Sequence, residues 1–392
     1  MSAPASWRPG APRALMLVSE LEDYTVAFAN GVGGSVPVTL AVPRRRYAHL
    51  AEWFGPGIDL RLLDWPRHRS AANPRFVAEL VRLVRRERPD VIHLLSNNTL
   101  WLNLALPFFP APIVTTVHDV EVHPGDAETG VLPRWSTDLV VRQSGDLVVH
   151  GPGLRQGAIE RFGKATDRVH VLSHPAIRRY AELARREGLV RRTTGFTVLL
   201  FGRLYAYKGL SHFIEAEALV GDRIPGLRVV IAGRGDDPAA LSRLMGDAAR
   251  YDSHHLFIED RAVGQLFLDA DVVALPYVEA SQSGVLNVAA AFGKPVVVTD
   301  VGELRATVVP NGLGLVVPPR DPQAFADALV RLASAPRLLA ELGARARAWA
   351  DGPNAPEAIG RSAAELYGRI ITRSAASRNA AVHPPVGAVE RP

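Results

Sequence analysis

What most constrains the fold of this chain is an alternation that runs through it twice. Short apolar runs recur at Ala14 to Ser19, Val36 to Val42, Ile58 to Leu63, Val91 to Leu95, Ile113 to Val117, Asp146 to His150 and Val169 to Leu172, with helix-length stretches between most of them. After a basic interval over 176–195 the pattern restarts at Thr197 to Phe201, Leu227 to Ile231, His255 to Ile258, Asp271 to Leu275, Pro295 to Thr299 and Gly314 to Val317. Apolar strands alternating with helices predict a doubly wound, mainly parallel sheet. The predicted class is therefore α/β, as two Rossmann-like domains facing each other across a cleft. A length of 392 residues also exceeds what one core usually organises. The expected division is 1–175 for a first domain, 176–195 for a linker and hinge, and 196–355 for a second domain. A C-terminal helix over 356–373 is expected to cross back to the first domain. The tail over 374–392, rich in Ala, Pro and Ser without periodicity, predicts disorder.

Parallel sheets of this kind bind ligands beyond the carboxyl ends of their strands, so the loops that follow strands carry the chemistry. Pro276 to Thr299 reads as a strand end, a small-residue loop (Ala280-Ser-Gln-Ser-Gly284), a helix from Val285 to Phe292 and another buried strand. Such a loop presents unpaired N–H groups and the positive end of a helix dipole, a setting that suits phosphate. In Phe201-Gly-Arg-Leu-Tyr-Ala-Tyr-Lys-Gly209, Arg203 and Lys208 flank a turn that leads into a helix, so both cations can converge on one diphosphate. Gly202 lets the backbone pass close to a ligand. In the first domain, Thr115-Thr-Val-His-Asp119 ends a strand at the proposed cleft. His150-Gly-Pro152 and Ser173-His-Pro175 follow the last two strands there, with capping as their expected role.

Composition removes several classes. Without cysteine the chain has no disulfide, thiolate nucleophile or Cys-based metal site, and His93 and His123 lie in no ligand spacing. The apolar run Ala14 to Val18 is too short for a signal sequence or a membrane span, so a cytoplasmic protein is expected. Lys and Arg exceed Asp and Glu by 45 to 40, and the pI is near 9.7. This mild surplus leaves room for peripheral contact with the inner face of a membrane through the basic first domain, but no nucleic-acid partner is expected. Pro74 to Arg88 allows two readings, a basic helix on a membrane surface or an ordinary helix covering the sheet. A dinucleotide-dependent dehydrogenase is disfavoured, because G-x-G-x-x-G follows the first strand of neither domain.

GRLYAYKGL, LRVVIAGRGD, ADVVALPY, the SQSG loop, FGKPVVVTDVGEL and NGLGLVVPPRD occur here in an order and spacing that resemble the donor-binding domain of retaining glycosyltransferases of family 4. The resemblance is specific over residues 198–335 and extends more loosely over 14–372. It implies the two-domain GT-B fold and transfer of a hexose from a nucleotide-diphosphate sugar, with a UDP-sugar favoured. The acceptor would be a saccharide, a lipid-linked saccharide or a small natural product, and no metal or other cofactor would be needed. By the same resemblance Arg203 and Lys208 hold the diphosphate, Gly284 and Val285 offer backbone groups to phosphate, and Ser281, Gln282 and Ser283 reach phosphate or sugar hydroxyls. Glu259, Asp260 and Arg261 fall where the base is seated, with Gly233 and Arg234 nearby. His118 matches a histidine beside the transferred sugar, while Glu22, Asp23, Tyr24 and Asp119 stand on the acceptor side.

One departure bears on the donor. Many members carry two glutamates eight positions apart, of which the second holds the ribose; those positions fall here on Ala280, with Glu279 displaced by one, and on Val288. Valine accepts no hydrogen bond, so the chain resembles a subset with an SQSG loop in place of the glutamate pair, and Glu303 is a candidate substitute. The same departure keeps a second reading open, a catalytically inactive homologue or scaffold that binds sugar nucleotides.

Overall fold

The structure, a computed structural model, describes residues 10–67, 70–97, 101–121 and 134–382. Its first sheet consists of β1 (Ala14–Leu17), β2 (Val38–Pro43), β3 (Ile58–Leu63), β4 (Val91–Leu94), β5 (Ile113–Thr116), β6 (Asp146–Val149) and β7 (Val169–Val171). The second consists of β8 (Thr197–Phe201), β9 (Arg228–Gly233), β10 (Tyr251–His255), β11 (Val272–Leu275), β12 (Val296–Thr299) and β13 (Gly314–Val317). The strand orders are β3-β2-β1-β4-β5-β6-β7 and β10-β9-β8-β11-β12-β13, and every pairing is parallel. In each sheet the order reverses direction at the first strand, β1 or β8, and the crevice that this reversal opens is where ligands bind in doubly wound sheets.

β10 differs from expectation. The apolar run His255 to Ile258 is not the strand; the strand is the polar Tyr251–His255, paired with β9 from Tyr251 opposite Val229. An edge strand packs less of its surface than a central one, so polarity is tolerated there and apolar content misplaces it. Leu256 and Phe257 lie beyond it, exposed.

The helix Asn73–Glu87 starts with a proline in its first turn, ends at Arg88 in a left-handed conformation (φ 48°), and buries Phe76, Leu80 and Val84. This i, i+4, i+8 stripe joins the core on one face of the first sheet, so the covering-helix reading holds. No described helix is long and apolar enough to cross a membrane.

The last helix runs Pro356–Val382 and so continues past Arg373 through residues expected to be disordered. Ser374 to Val382 contains no proline or glycine, and the first helix-breaking residue is Pro384. The rest of that expectation, over 383–392, lies outside the described residues. Ile359, Ala363, Leu366, Tyr367 and Ile370 of this helix belong to the core of the first sheet. The helix lies tight against the helix Glu22–Gly33: a Cβ on Gly360 would come within 2.0 Å of the Gly31 carbonyl carbon. Buried His93 on β4 bonds the Tyr367 hydroxyl through Nδ1 (2.6 Å) and Thr116 Oγ1 through Nε2 (2.8 Å), tying the last helix to the middle of the sheet.

Candidate active site between the domains

A cavity of about 340 Å³ lies between the two sheets, lined by residues of both. On the second-domain side, the chain leaves β8 through Gly202, whose φ of 112° strains any side-chain-bearing residue. Arg203 follows, then the turn Ala206–Lys208 and Gly209, where a Cβ would sit 1.9 Å from the Pro276 carbonyl oxygen. That contact seats the Arg203–Lys208 turn on the end of β11. Lys208 Nζ stands 3.7 Å from the centre of the Tyr277 ring, so the face of the aromatic holds the ammonium at the cavity. The helix Gly284–Ala291 begins at the same wall with no side chain capping its N-terminus and no acid in its first turn. Its first N–H groups and its dipole therefore face the cavity uncompensated, while Ser283 Oγ and Tyr277 Oη, 3.1 Å apart, brace the loop. Val288 lines the cavity with an apolar side chain.

The first-domain wall is aromatic and imidazole-rich. Tyr24, His118, Asp119 and His174 line it, with Leu21, Glu22 and Asp23 at the rim. The Tyr24 ring lies 4.7, 5.3 and 5.0 Å from the rings of His118, His150 and His174. His118 Nε2 bonds the Leu95 carbonyl at 2.9 Å, and its Nδ1 lies 3.2 Å from His150 Nε2. Burial pushes His118 below its ordinary pKa, against the Leu95 carbonyl and the charges of Asp119 and Glu20, which pull it back. Burial also takes His174 down to about 4 and His150 well below its usual range.

The structure thus brings Gly202, Arg203, Lys208, Gln282, Ser283, Gly284, Val285 and Val288 to one cavity with Glu22, Asp23, Tyr24, His118 and Asp119. Other sequence candidates stand apart from it. Gly233 holds two turns together, since a Cβ there would lie 1.7 Å from the Gly202 oxygen. Arg234 stacks 5.0 Å from the exposed Phe257 ring. Ser281 is buried and accepts the Glu303 N–H at 3.0 Å, while Glu279 is exposed. Glu259 precedes the helix Asp260–Asp269.

Two expected base contacts and the candidate ribose substitute are engaged by other parts of the chain. Asp260 is ion-paired to Arg179, and Arg261 to Glu187 at 2.6 Å, both partners belonging to the linker. Glu303 accepts the Leu154 N–H at 2.9 Å at the start of the helix Pro152–Phe162, whose Gly151 and Gly153 leave no room for a Cβ beside that carboxylate. A second-domain glutamate therefore caps a first-domain helix.

Arg179 was not singled out from the sequence. It sits in the linker helix Arg179–Arg186, is 6 % exposed, and bonds Asp23 of the first domain (2.6 and 3.0 Å) together with Asp260 of the second. Tyr180 adds a hydrogen bond to Asp23 at 2.7 Å. Its neighbours Arg178, Arg185 and Arg186 look the same in sequence, and no local signal marks the one that is buried. Tyr207 and Tyr277 were likewise passed over, although two tyrosines flanking the Arg203–Lys208 and SQSG segments are the signal that could have found them.

Known proteins share both halves of this arrangement. Residues 195–335 match the family model for glycosyl transferases group 1, and residues 19–175 match that for the glycosyl transferase 4-like domain. The D-inositol 3-phosphate glycosyltransferase of Corynebacterium glutamicum is 30% identical over 285 residues, covering 66% of this chain and 67% of that one. The phosphatidyl-myo-inositol mannosyltransferase of Mycobacterium leprae is 28% identical over 285 residues, covering 69% and 72%. Among solved structures, Anabaena Alr3699/HepE in complex with UDP-glucose superposes with a TM-score of 0.68 at 17% identity, covering 93% of this chain and 100% of that one, a likeness in fold. With the GT-B fold in place and both domains matched in order, the chain belongs to the family 4 glycosyltransferases and is a glycosyltransferase enzyme.

Proposed function

We propose that this enzyme moves a hexose, with retention, from a nucleotide-diphosphate sugar to a saccharide, a lipid-linked saccharide or a small natural-product acceptor. The observation that carries this reading is the meeting of Arg203, Lys208 and the open N-terminus of Gly284–Ala291 on one wall of a cavity whose other wall holds His118. Two fixed cations and a helix end match the charge that grows on a departing diphosphate. In the proposed front-face substitution the bond from the sugar's anomeric carbon to the leaving phosphate oxygen breaks. The acceptor hydroxyl oxygen bonds to the same face of that carbon, and its proton passes to the leaving oxygen. His118 positions and polarises the sugar and need not take the acceptor's proton. Arg203 and Lys208 supply the charge that a metal ion supplies in other transferases, so full activity in excess chelator is expected, and its loss would overturn that part of the proposal.

A UDP-sugar is the favoured donor; the UDP-glucose bound by the Anabaena structure supports this choice. Val288 leaves ribose recognition to groups other than a glutamate at that position, as expected for the SQSG subset. We place the enzyme in the cytoplasm, with contact to the inner face of a membrane where the acceptor is lipid-linked. Thermal-shift measurements with UDP-, GDP-, ADP- and TDP-sugars test the reading, since a ligand at 100 times its Kd stabilises by about 2.7 kcal/mol. A shift with one nucleotide class is expected; no shift with any would overturn the reading, and a shift without transfer activity would favour the inactive homologue.

A further inference from the structure

Three histidines, His118, His150 and His174, surround Tyr24, and two of them meet in a way that ordinary neutral imidazoles cannot satisfy. A carbonyl oxygen only accepts, so its partner nitrogen must carry a hydrogen. His118 Nε2 faces the Leu95 carbonyl at 2.9 Å and is therefore protonated. His150 Nδ1 faces the Leu172 carbonyl at 2.8 Å and is protonated by the same argument. In a neutral imidazole the other nitrogen then bears a lone pair, and those two nitrogens, His118 Nδ1 and His150 Nε2, lie 3.2 Å apart. Two lone pairs at that separation repel, whereas a single added proton turns the contact into an N–H⁺···N hydrogen bond.

We infer that His118 and His150 hold one proton between them when the cleft is filled, so that the pair carries a single positive charge taken up with the nucleotide diphosphate. His150 does not line the cavity and would act through His118 as a positioning residue. The inference rests on the reading of the cleft as a nucleotide-sugar site.

The groups facing the pair set the direction of the coupling. Glu20 and Asp119 favour the proton; His93 and His174, together with Arg203 and Lys208 across the cavity, oppose it, and the buried Tyr24 ring packs against both imidazoles. Burial weighs against an isolated imidazolium, so the empty site favours the neutral pair near neutral pH. A diphosphate entering beside His118 reverses that balance. By linkage, whatever raises the pair's hold on a proton makes nucleotide binding tighter as pH falls. The two rings titrate as one unit and not as separate residues.

The test is ¹⁵N-histidine NMR of the full chain across about pH 5 to 8, with and without UDP, together with UDP affinity over the same range. The free nucleotide's terminal phosphate also titrates near pH 6, so the wild-type slope minus that of His150→Gln is the quantity read. The expected result is one imidazolium shared by His118 and His150 in the UDP complex. It comes with an extra gain in affinity approaching about tenfold per pH unit, lost in both His150→Gln and His150→Phe. Two neutral rings in the complex throughout the range, or a slope unchanged in both variants, would overturn it. If UDP does not bind, the same measurements are made with GDP, ADP and TDP, and if none of them binds the donor-site reading fails. The free protein then decides for the pair: joint uptake of one proton supports it, and independent titration or none overturns it.

Discussion

The turn after β1 and the turn after β8 occupy the same place in two sheets of like topology, yet they carry opposite charge. After β1 come Glu20, a left-handed Leu21 (φ 65°), and then Glu22 and Asp23 in the first turn of the helix Glu22–Gly33. After β8 come Arg203 and Lys208, and the helix Leu210–Val220 has no acid in its first turn. An acid at a helix start answers the helix dipole from within the protein; a helix start without one remains available to an anion from outside. In the first domain that electrostatic position is spent on Arg46 and on the Arg179 and Tyr180 anchor, and in the second no acid of the helix answers it. Two sheets of like topology thus divide the work, one turn fastening the domains together and the other, on the proposed reading, receiving phosphate.

The comparison breaks most visibly if cations are removed from the basic turn. Arg203→Ala and Lys208→Ala should each lower turnover by about 100-fold or more, with melting temperature little changed; wild-type kinetics in both would erase the distinction. Asp23→Asn tests the acidic turn: losing the ionic bond to Arg179 should cost about 1 kcal/mol after allowance for a third-exposed carboxylate, read as a lower midpoint in urea. Its effect should fall on KM more than on kcat, because the domains would close less readily around the donor.

Asp146 extends the rule that first-domain acids serve structure. Burial alone would raise its pKa, but hydrogen bonds from His170 and from Arg373 of the last helix hold it below the usual carboxylate range. A depressed native pKa stabilises above the unfolded value near about 3.9 and is lost as pH falls through the native one. The wild type should therefore lose stability between about pH 5 and pH 3 more steeply than Asp146→Asn, as denaturant unfolding would show. Smallest of all, Glu22→Gln should shift stability by no more than about 0.5 kcal/mol, since its 2.5 Å pair with Arg46 lies at the surface.

The sequence made the two sheets legible because buried parallel strands are apolar on both faces, and β8, β11 and β12 fall within the runs expected of them. It misled at β10, where an edge strand tolerates Asp252, Ser253 and two histidines while Leu256 and Phe257 stay in a loop. It also shortened the last helix, because the Ala- and Ser-rich composition of 374–382 suits a helix as well as a coil once its neighbouring turns are docked. The cleft residues were legible where backbone geometry fixes residue type, as at Gly202 and Gly209. They were not where a contact joins distant parts of the chain: nothing local distinguishes Arg179 from Arg178, and Glu303 caps a helix 149 positions away from it.

The last helix has a consequence for how the molecule is made. His93 and Tyr367, bonded in the finished protein, are 274 positions apart, and one face of the helix Glu22–Gly33 packs against the helix that begins at Pro356. On a ribosome that adds about 5 to 20 residues per second, the first domain emerges early and waits with that face uncovered while the second is synthesised. The domain translated first would thus be the last to mature. A nascent chain arrested after Asn354 should be cut by protease within the first sheet and resist in the second; equal resistance of both would show that the early domain closes unaided.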